Sequence, residues 1–312
     1  MASYVNRQFF IQYGVYISLV ILMIAAALIT PDIYSSQSRI VILKQASQLG
    51  IVALAQTLIL LVGGIDLSVG GVIVLTSVII AESSNGRNDA LPTAIFLALC
   101  AGAVVGLANG LLVTKRNVPP FIATLGTLVL IQGAQRAYTK GIPGGFVPDA
   151  LGVVNRTIGP IPVPTIIWVI LIVILVFVLH ATPYGRQIYA AGGNRNAAHL
   201  SGISVNPIII SVYVLASMLT VIAGVVLTGY VGYIDQYLGQ GMDLDSIAAA
   251  IIGGTTFVGG RGTVLGTVAG VFLIQILSIM TLNLGLDMQA QLIIKGLMVI
   301  GAVALYSVSS RH

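Results

Sequence analysis

Charge is what this sequence has least of. Asp, Glu, Lys and Arg together make up 7% of its 312 residues, against about 25% in an ordinary soluble domain. So few charged side chains cannot coat a water-exposed surface, which excludes a free-standing soluble globule. The single cysteine, Cys100, lies in an apolar run, so there is no internal disulfide and no thiolate cluster for a metal. The three histidines, His180, His199 and His312, lack zinc-ligand spacing and sit in no Ser-His-Asp arrangement. A G-x-x-x-x-G-K-S/T phosphate loop is also missing, so this chain is not expected to bind and hydrolyse ATP itself. No catalytic residue, metal ligand or cofactor site is assigned, and the chain reads as a non-enzyme. The net charge of +5 forms no basic face interleaved with aromatics, which argues against nucleic acid as a partner.

What is present is apolar. Hydrophobic residues make up 57% and the mean hydropathy is +1.03, the profile of an all-α, polytopic integral membrane bundle. A span needs about 20 apolar residues. The runs are Tyr13 to Thr30, Val41 to Val62, Ser68 to Ala81, Thr93 to Val113, Phe121 to Tyr138, Thr165 to His180, Pro207 to Gly229, Ser246 to Val258, Val264 to Asn283 and Gln289 to Val308. They predict about ten transmembrane segments in one membrane domain covering residues 1–312, with both termini cytoplasmic. The first run is long for a signal peptide, and ITPDIYSS after it lacks a small-x-small cleavage site, so an uncleaved first span is expected. Alternation then places Lys115, Arg116, the interval from Thr182 to Asn206, Arg261 and the Arg311–His312 tail inside, as positive loops require. Arg39, Lys44, Arg87, Arg136, Lys140 and Arg156 fall on the outer face and oppose that rule.

Three polar places interrupt the apolar pattern. The interval 182–206 carries Arg186, Arg195 and His199 without a carboxylate. Its Gly, Tyr and Asn content predicts an ordered, short-helical knob suited to docking a partner. Its glycines alternatively only turn the chain, with Arg186 on lipid headgroups. The second place, Gly63-Gly64-Ile65-Asp66-Leu67-Ser68-Val69-Gly70, predicts a break between two short spans, because each Gly costs a helix about 1 kcal/mol relative to Ala. An aspartate in mid-membrane costs roughly 2.5–3.5 kcal/mol, so Asp66 either caps freed backbone with Ser68 or lines a hydrated path. The third runs from Gly241 to Gly262. There Asp245 or Ser246 is expected to cap a short helix beginning at Ile247, which Gly253-Gly254 ends or bends. Elsewhere Gly102, Gly106 and Gly110, and Gly266 with Gly270, read as close helix packing.

GGIDLSVG at 63–70, PPFIATLGT at 119–127, TPYGRQIYAAGGNRNAAHLSGISVN at 182–206 and LDSIAAAIIGGTTFVGGRGTVLGT at 244–267 together resemble the ribose-type sugar permeases of bacterial ABC importers. The resemblance runs in order and spacing from about residue 10 to 305. It implies a multi-pass protein of the bacterial inner (plasma) membrane that forms the translocation path for a monosaccharide as a dimer with a second copy of itself or a close paralogue. It also implies a cytoplasmic ABC ATPase, which holds ATP and Mg, a periplasmic sugar-binding protein and membrane lipid as partners. On this resemblance 182–206 is the coupling loop, carried by Gly185, Arg186, Tyr189, Gly192, Gly193, Asn194, Ala197 and Gly202, with Tyr189 as the buried anchor and Arg186 and Asn194 as polar contacts. Translocation-path candidates are Asp66, Ser68, Asn109, Thr124, Thr127 and Gln132, whose polar groups can follow a sugar's hydroxyls. Met242-Asp243 and Ala216-Ser217 depart from the family's pattern and leave the sugar unnamed. Alternatives are a permease for a nucleoside, a branched-chain amino acid or a quorum-signalling sugar, a stand-alone secondary carrier or channel, or, more remotely, an intramembrane enzyme.

Overall fold

The computed structural model describes residues 2–140, 146–287, 289–294 and 296–297, with side chains from residue 14 onward. Its helices are α1 (Ala2–Ile29), α2 (Ser36–Leu61), α3 (Val69–Ser84), α4 (Leu91–Lys115), α5 (Pro120–Thr139), α6 (Val163–Ala181), α7 (Pro183–Gly193), α8 (Arg195–Leu200), α9 (Val205–Val231), α10 (Met242–Ile252) and α11 (Val264–Asn283). A two-residue antiparallel hairpin, Thr157–Ile158 with Ile161–Pro162, is the departure from helix among the described residues. Among the described residues five helices, α2, α4, α6, α9 and α11, are long and apolar enough to cross a membrane, and Gly14–Ile29 of α1 and all of α3 are shorter apolar helices. Most of the tenth expected segment lies outside the described residues, although 289–294 are helical.

Helix α2 is the axis of the bundle. From Ala46 to Leu61 every residue is buried, the condition of a helix apolar on all sides, and α9, α10, α11 and α6 surround it. Close helix approach comes from the glycines the sequence singled out. A Cβ on Gly106 or Gly110 would strike the α9 backbone at Tyr213 or Ile210, and one on Gly266 or Gly270 would overlap the carbonyls of Gly253 or Ala249. The lone tryptophan, Trp168, is 2% exposed and packs 5.7 Å from Phe272, tying α6 to α11.

The two ends of the bundle differ in their contacts, and two of the cations that oppose the sidedness rule have local partners. At one end Lys44 Nζ donates to the Asn155 carbonyl at 2.9 Å and lies 6.0 Å from the Tyr230 ring centre, while Asn155 Nδ2 donates to Gly229 O at 2.9 Å. Arg87 pairs with Asp89 at 3.7 Å. At the other end the α7–α8 pair meets the end of α2.

One expectation is corrected. The short helix α10 begins at Met242, not Ile247, because Gly241 takes a left-handed conformation (φ 81°) and starts it without a side-chain cap. Asp243 and Asp245 then occupy the first turn, where negative charge suits the helix dipole. Ser246 is buried inside the helix, its hydroxyl donating to Asp243 O at 3.0 Å. At 11 residues α10 is about 16 Å long and cannot span a membrane, so the expected segment from Ser246 to Val258 is half helix and half irregular chain.

Depth can be read along α9, whose 27 residues run about 40 Å. Tyr213 Oη lies 3.5 Å from Ile65 O, and Thr76 packs on Gly224, so α3 rises beside α9 in the same direction. A Cβ on Gly70 would come to 3.6 Å from Gly239 O, which brings the two backbones together roughly halfway up, at about 20 Å from the knob end. The chain between α9 and α10 therefore dips to mid-depth before α10 carries it back toward the knob.

Candidate functional site

Five of the six path candidates form one buried hydrogen-bonded tie. With α2 ended by Gly63, whose φ is +71°, the N–H of Ser68 is left without a helical partner. Asp66 Oδ1 accepts from it at 2.7 Å and from Ser68 Oγ at 2.5 Å. Asn109 Nδ2 on α4 donates to Ser68 Oγ at 3.0 Å, and Thr127 Oγ1 on α5 donates to Asn109 Oδ1 at 2.6 Å. Thr124 Oγ1 accepts from Leu67 N at 3.1 Å, and Gln56 Nε2 donates to Asp66 O at 2.7 Å. Asp66 is 2% exposed, and Asn109 and Thr124 are fully buried. Of the two readings open for Asp66, its bonds are those of the cap. Within one chain these residues close a junction among α2, α4 and α5.

Gln132 stands apart. It lines a cavity of about 290 Å³ above the tie, bounded by Gly70, Val74 and Val78 of α3, by Leu128, Gln135, Arg136 and Thr139 of α5, and by the chain from Ile234 to Asp243. The spacing 132, 135, 136, 139 is one helical face, a polar stripe on an otherwise apolar helix. That stripe was readable in the sequence, where Arg136 registers only as a charge on the wrong side of the membrane. Gln236 and Gln240 across the cavity carried no such signal, because an irregular segment brings them there, and Asp243 follows them from the first turn of α10.

The polar interval folds as α7 and α8. Thr182 Oγ1 accepts from Gly185 N at 3.2 Å to cap α7, and Asn194 Oδ1 accepts from Ala197 N at 3.0 Å to cap α8. The coupling candidates divide by face. Arg186, Gly193, Asn194, Ala197 and Gly202 are exposed, whereas Gly185 is buried, and Tyr189 and Gly192 are half-buried against the chain itself. Tyr189 Oη donates to Gly262 O at 2.9 Å, so its anchoring role is internal. Burial pushes the phenols of Tyr189 and Tyr184 above the usual range, Tyr184 against the opposing pull of its Ser211 hydrogen bond. A Cβ on Gly192 would overlap the Leu61 carbonyl, which accepts from Gly260 N at 2.8 Å. The knob is thus clamped to both chain breaks, the one after α2 and the one after α10. At its tip Leu200 is 88% exposed, an apolar side chain beside Arg195 and His199 that sequence reasoning did not name as a contact. Among the described residues no three His, Cys, Asp or Glu side chains gather as a metal site requires.

Residues 38–303 match the family model described as branched-chain amino acid transport system / permease component. The ribose import permease protein of Bacillus subtilis (strain 168) is 38% identical over 295 residues, 94% of this chain and 91% of its own length. The galactose/methyl galactoside import permease protein of Escherichia coli (strain K12) is 34% identical over 330 residues, 98% of each chain. The fructose import permease protein of Rhizobium meliloti is 33% identical over 281 residues, 87% of this chain and 78% of its own. No solved structure gives a significant match.

Proposed function

The chain belongs to the family of branched-chain amino acid transport system permease components, and on that premise we propose that it is the membrane-spanning permease subunit of an ATP-driven importer for a monosaccharide. The relatives that support the sugar reading are named for ribose, fructose and galactose import. The chain has no phosphate loop, so ATP hydrolysis falls to a separate cytoplasmic ATPase, and a sugar-binding protein delivers the solute from the other side. The subunit sits as a multi-pass protein in the bacterial inner membrane with about ten segments, its termini and the α7–α8 knob on the cytoplasmic side, and works as a dimer.

The observation that carries the coupling reading is the clamp beneath the knob. An exposed surface formed by Arg186, Arg195 and Leu200 is fixed through Gly192, Tyr189 and Gly260 to the two breaks in the bundle. A rigid-body push on α7 and α8 is delivered to the segment that carries Asp66 and to the end of α10, which is how a small displacement at one site repacks a bistable junction at another. Asp66, Ser68, Asn109, Thr124 and Thr127 are in this reading the gate, exchanging their bonds with one another for bonds to the passing solute. Gln132 belongs to the outer cavity.

Co-purification from native membranes tests the coupling. Leu200→Asp, at an 88% exposed position, is expected to leave the permease folded and to release the ATPase. An ATPase retained by both Leu200→Asp and Arg186→Glu would place the contact elsewhere. Wild-type protein that moves sugar in vesicles with no ATPase would instead make it a self-sufficient carrier.

A further inference from the structure

We propose that the cavity above the Asp66 tie is a binding niche for one monosaccharide molecule in each copy of the chain, a stage of transit between delivery and the gate; the assignment rests on the permease reading above.

Its two walls differ in the way a sugar's own surface does. One wall is polar: Gln132, Gln135 and Arg136 on α5 face Gln236, Gln240 and Asp243. Amides both donate and accept, the guanidinium only donates and the carboxylate only accepts, so the set can serve hydroxyls in either sense. Arg136 and Asp243 line the same cavity without forming an ion pair with each other; among the described residues the one ion pair is Arg87 with Asp89. Gln135 Nε2 is shut off from solvent and has no acceptor. A buried donor without a partner is costly, and a turn of the Gln135 side chain into the cavity it lines would let a solute oxygen satisfy it. The other wall, Val74, Val78 and Leu128, is apolar, and the half-exposed ring of Tyr237 stands at the cavity. It can cover the C–H face that a furanose or pyranose turns away from its hydroxyls.

Size and sign narrow the ligand. The cavity, about 290 Å³, lies below the roughly 300–1,000 Å³ range of drug-sized sites, which suits a single small solute. A net anion would meet Asp243 and a net cation Arg136, which leaves net-neutral solutes, and among these the four amides of Gln132, Gln135, Gln236 and Gln240 favour one rich in hydroxyls over a zwitterion with one charged group at each end. A site lined by amides also discriminates against a solute that cannot bond them. The floor, where Gly70 meets Gly239, lies about halfway along α9, directly above the buried tie. A sugar held there is one gate opening away from the knob side.

The test uses the full chain in lipid nanodiscs. With Cys100→Ser removing the only native thiol, Gln132→Cys places a reporter in the niche, and Asp89→Cys places one on an exposed outer loop. The rate of alkylation by a small polar maleimide is measured with D-ribose, D-fructose, D-galactose or L-leucine. At least one of the sugars is expected to slow labelling at position 132 about threefold or more and leave position 89 unchanged. Equal rates with all solutes overturn the niche, and protection by leucine alone overturns its sugar chemistry. Uptake kinetics in cells provide a second arm: Gln135→Leu and Asp243→Asn are each expected to raise KM about 3- to 10-fold with kcat retained, the effect of one lost hydrogen bond. Unchanged KM in both variants overturns the niche while leaving the permease reading intact. Wild-type cells that accumulate none of these sugars overturn the permease reading itself.

Discussion

Adding a methyl group to Gly192 should loosen the knob from the bundle, whereas adding it to its neighbour Gly193 should not. The new Cβ at 192 would overlap the Leu61 carbonyl oxygen and come within 2.8 Å of Gly260 N. Both are backbone atoms at the ends of packed segments and cannot swing aside as a side-chain tip does, so α7 itself must move. Overpacking of this kind costs about 1–3 kcal/mol, and losing the Gly260 N–H to Leu61 O bond adds about 1 kcal/mol. At 193 the nearest atom to an added Cβ is Gly260 Cα at 3.9 Å, an ordinary contact, and Ala is the better helix former by up to about 1 kcal/mol. The assay is amide hydrogen exchange of α7 and α8 in detergent or nanodiscs. A local loss of about 2–4 kcal/mol raises the opened population roughly 30- to 700-fold, so Gly192→Ala should exchange α7 amides that much faster. Gly193→Ala should match wild type or fall below it. Indistinguishable exchange in the two variants would refute the clamp and the coupling argument built on it.

Asn109→Leu removes both bonds that join Ser68 to Thr127 and should lower stability by about 1–3 kcal/mol, read as an earlier thermal unfolding transition; Asp66→Asn, which keeps an acceptor for Ser68, should fall well short of that. Gly50→Ala drives its methyl into the Trp168 ring; as the protein's lone tryptophan, buried beside Phe272, Trp168 should emit at short wavelength in wild type and shift in the variant. Tyr189→Phe leaves the Gly262 carbonyl without its 2.9 Å donor, at an expected cost of about 1 kcal/mol. Because burial raises the Tyr189 pKa above its ordinary value of 10.0, the neutral phenol's contribution is complete below pH 10 and is lost as pH climbs through the higher folded-state value. Exchange of α7 in wild type should therefore quicken at alkaline pH beyond its intrinsic pH dependence, and the Phe variant should lack that extra rise.

Much of the helical layout is legible in the sequence where apolar runs meet sharp punctuation. The run from Val264 to Asn283 coincides with α11, and Gly63-Gly64 marks the break after α2. The knob's helical character follows from Thr182 and Asn194, side chains able to cap the two helices that follow them. Legibility ends where conformation is set by long-range packing. Asp245 or Ser246 looks like a cap, but the helix has already begun at Met242 behind Gly241, whose left-handed turn carries no side-chain signature. Asp66 announces a cost without naming its partners, since Asn109 and Thr127 reach the motif from other helices. The outer cavity is least legible: Gln236 and Gln240 of its polar wall come from an irregular segment with no periodicity.

Leu61 O, which accepts from Gly260 N and lies under Gly192, has a thermodynamic consequence. A single acceptor shared by two breaks favours their moving together by the worth of one hydrogen bond, about 1 kcal/mol, so the knob and the interior of the bundle are coupled through it to that extent. Linkage of this sort is reciprocal. On the coupling proposed above, whatever factor a partner seated on the knob imposes on solute affinity, solute inside the bundle must impose on the partner's grip, so filling of the bundle would be reported outward through the same Leu61 contact.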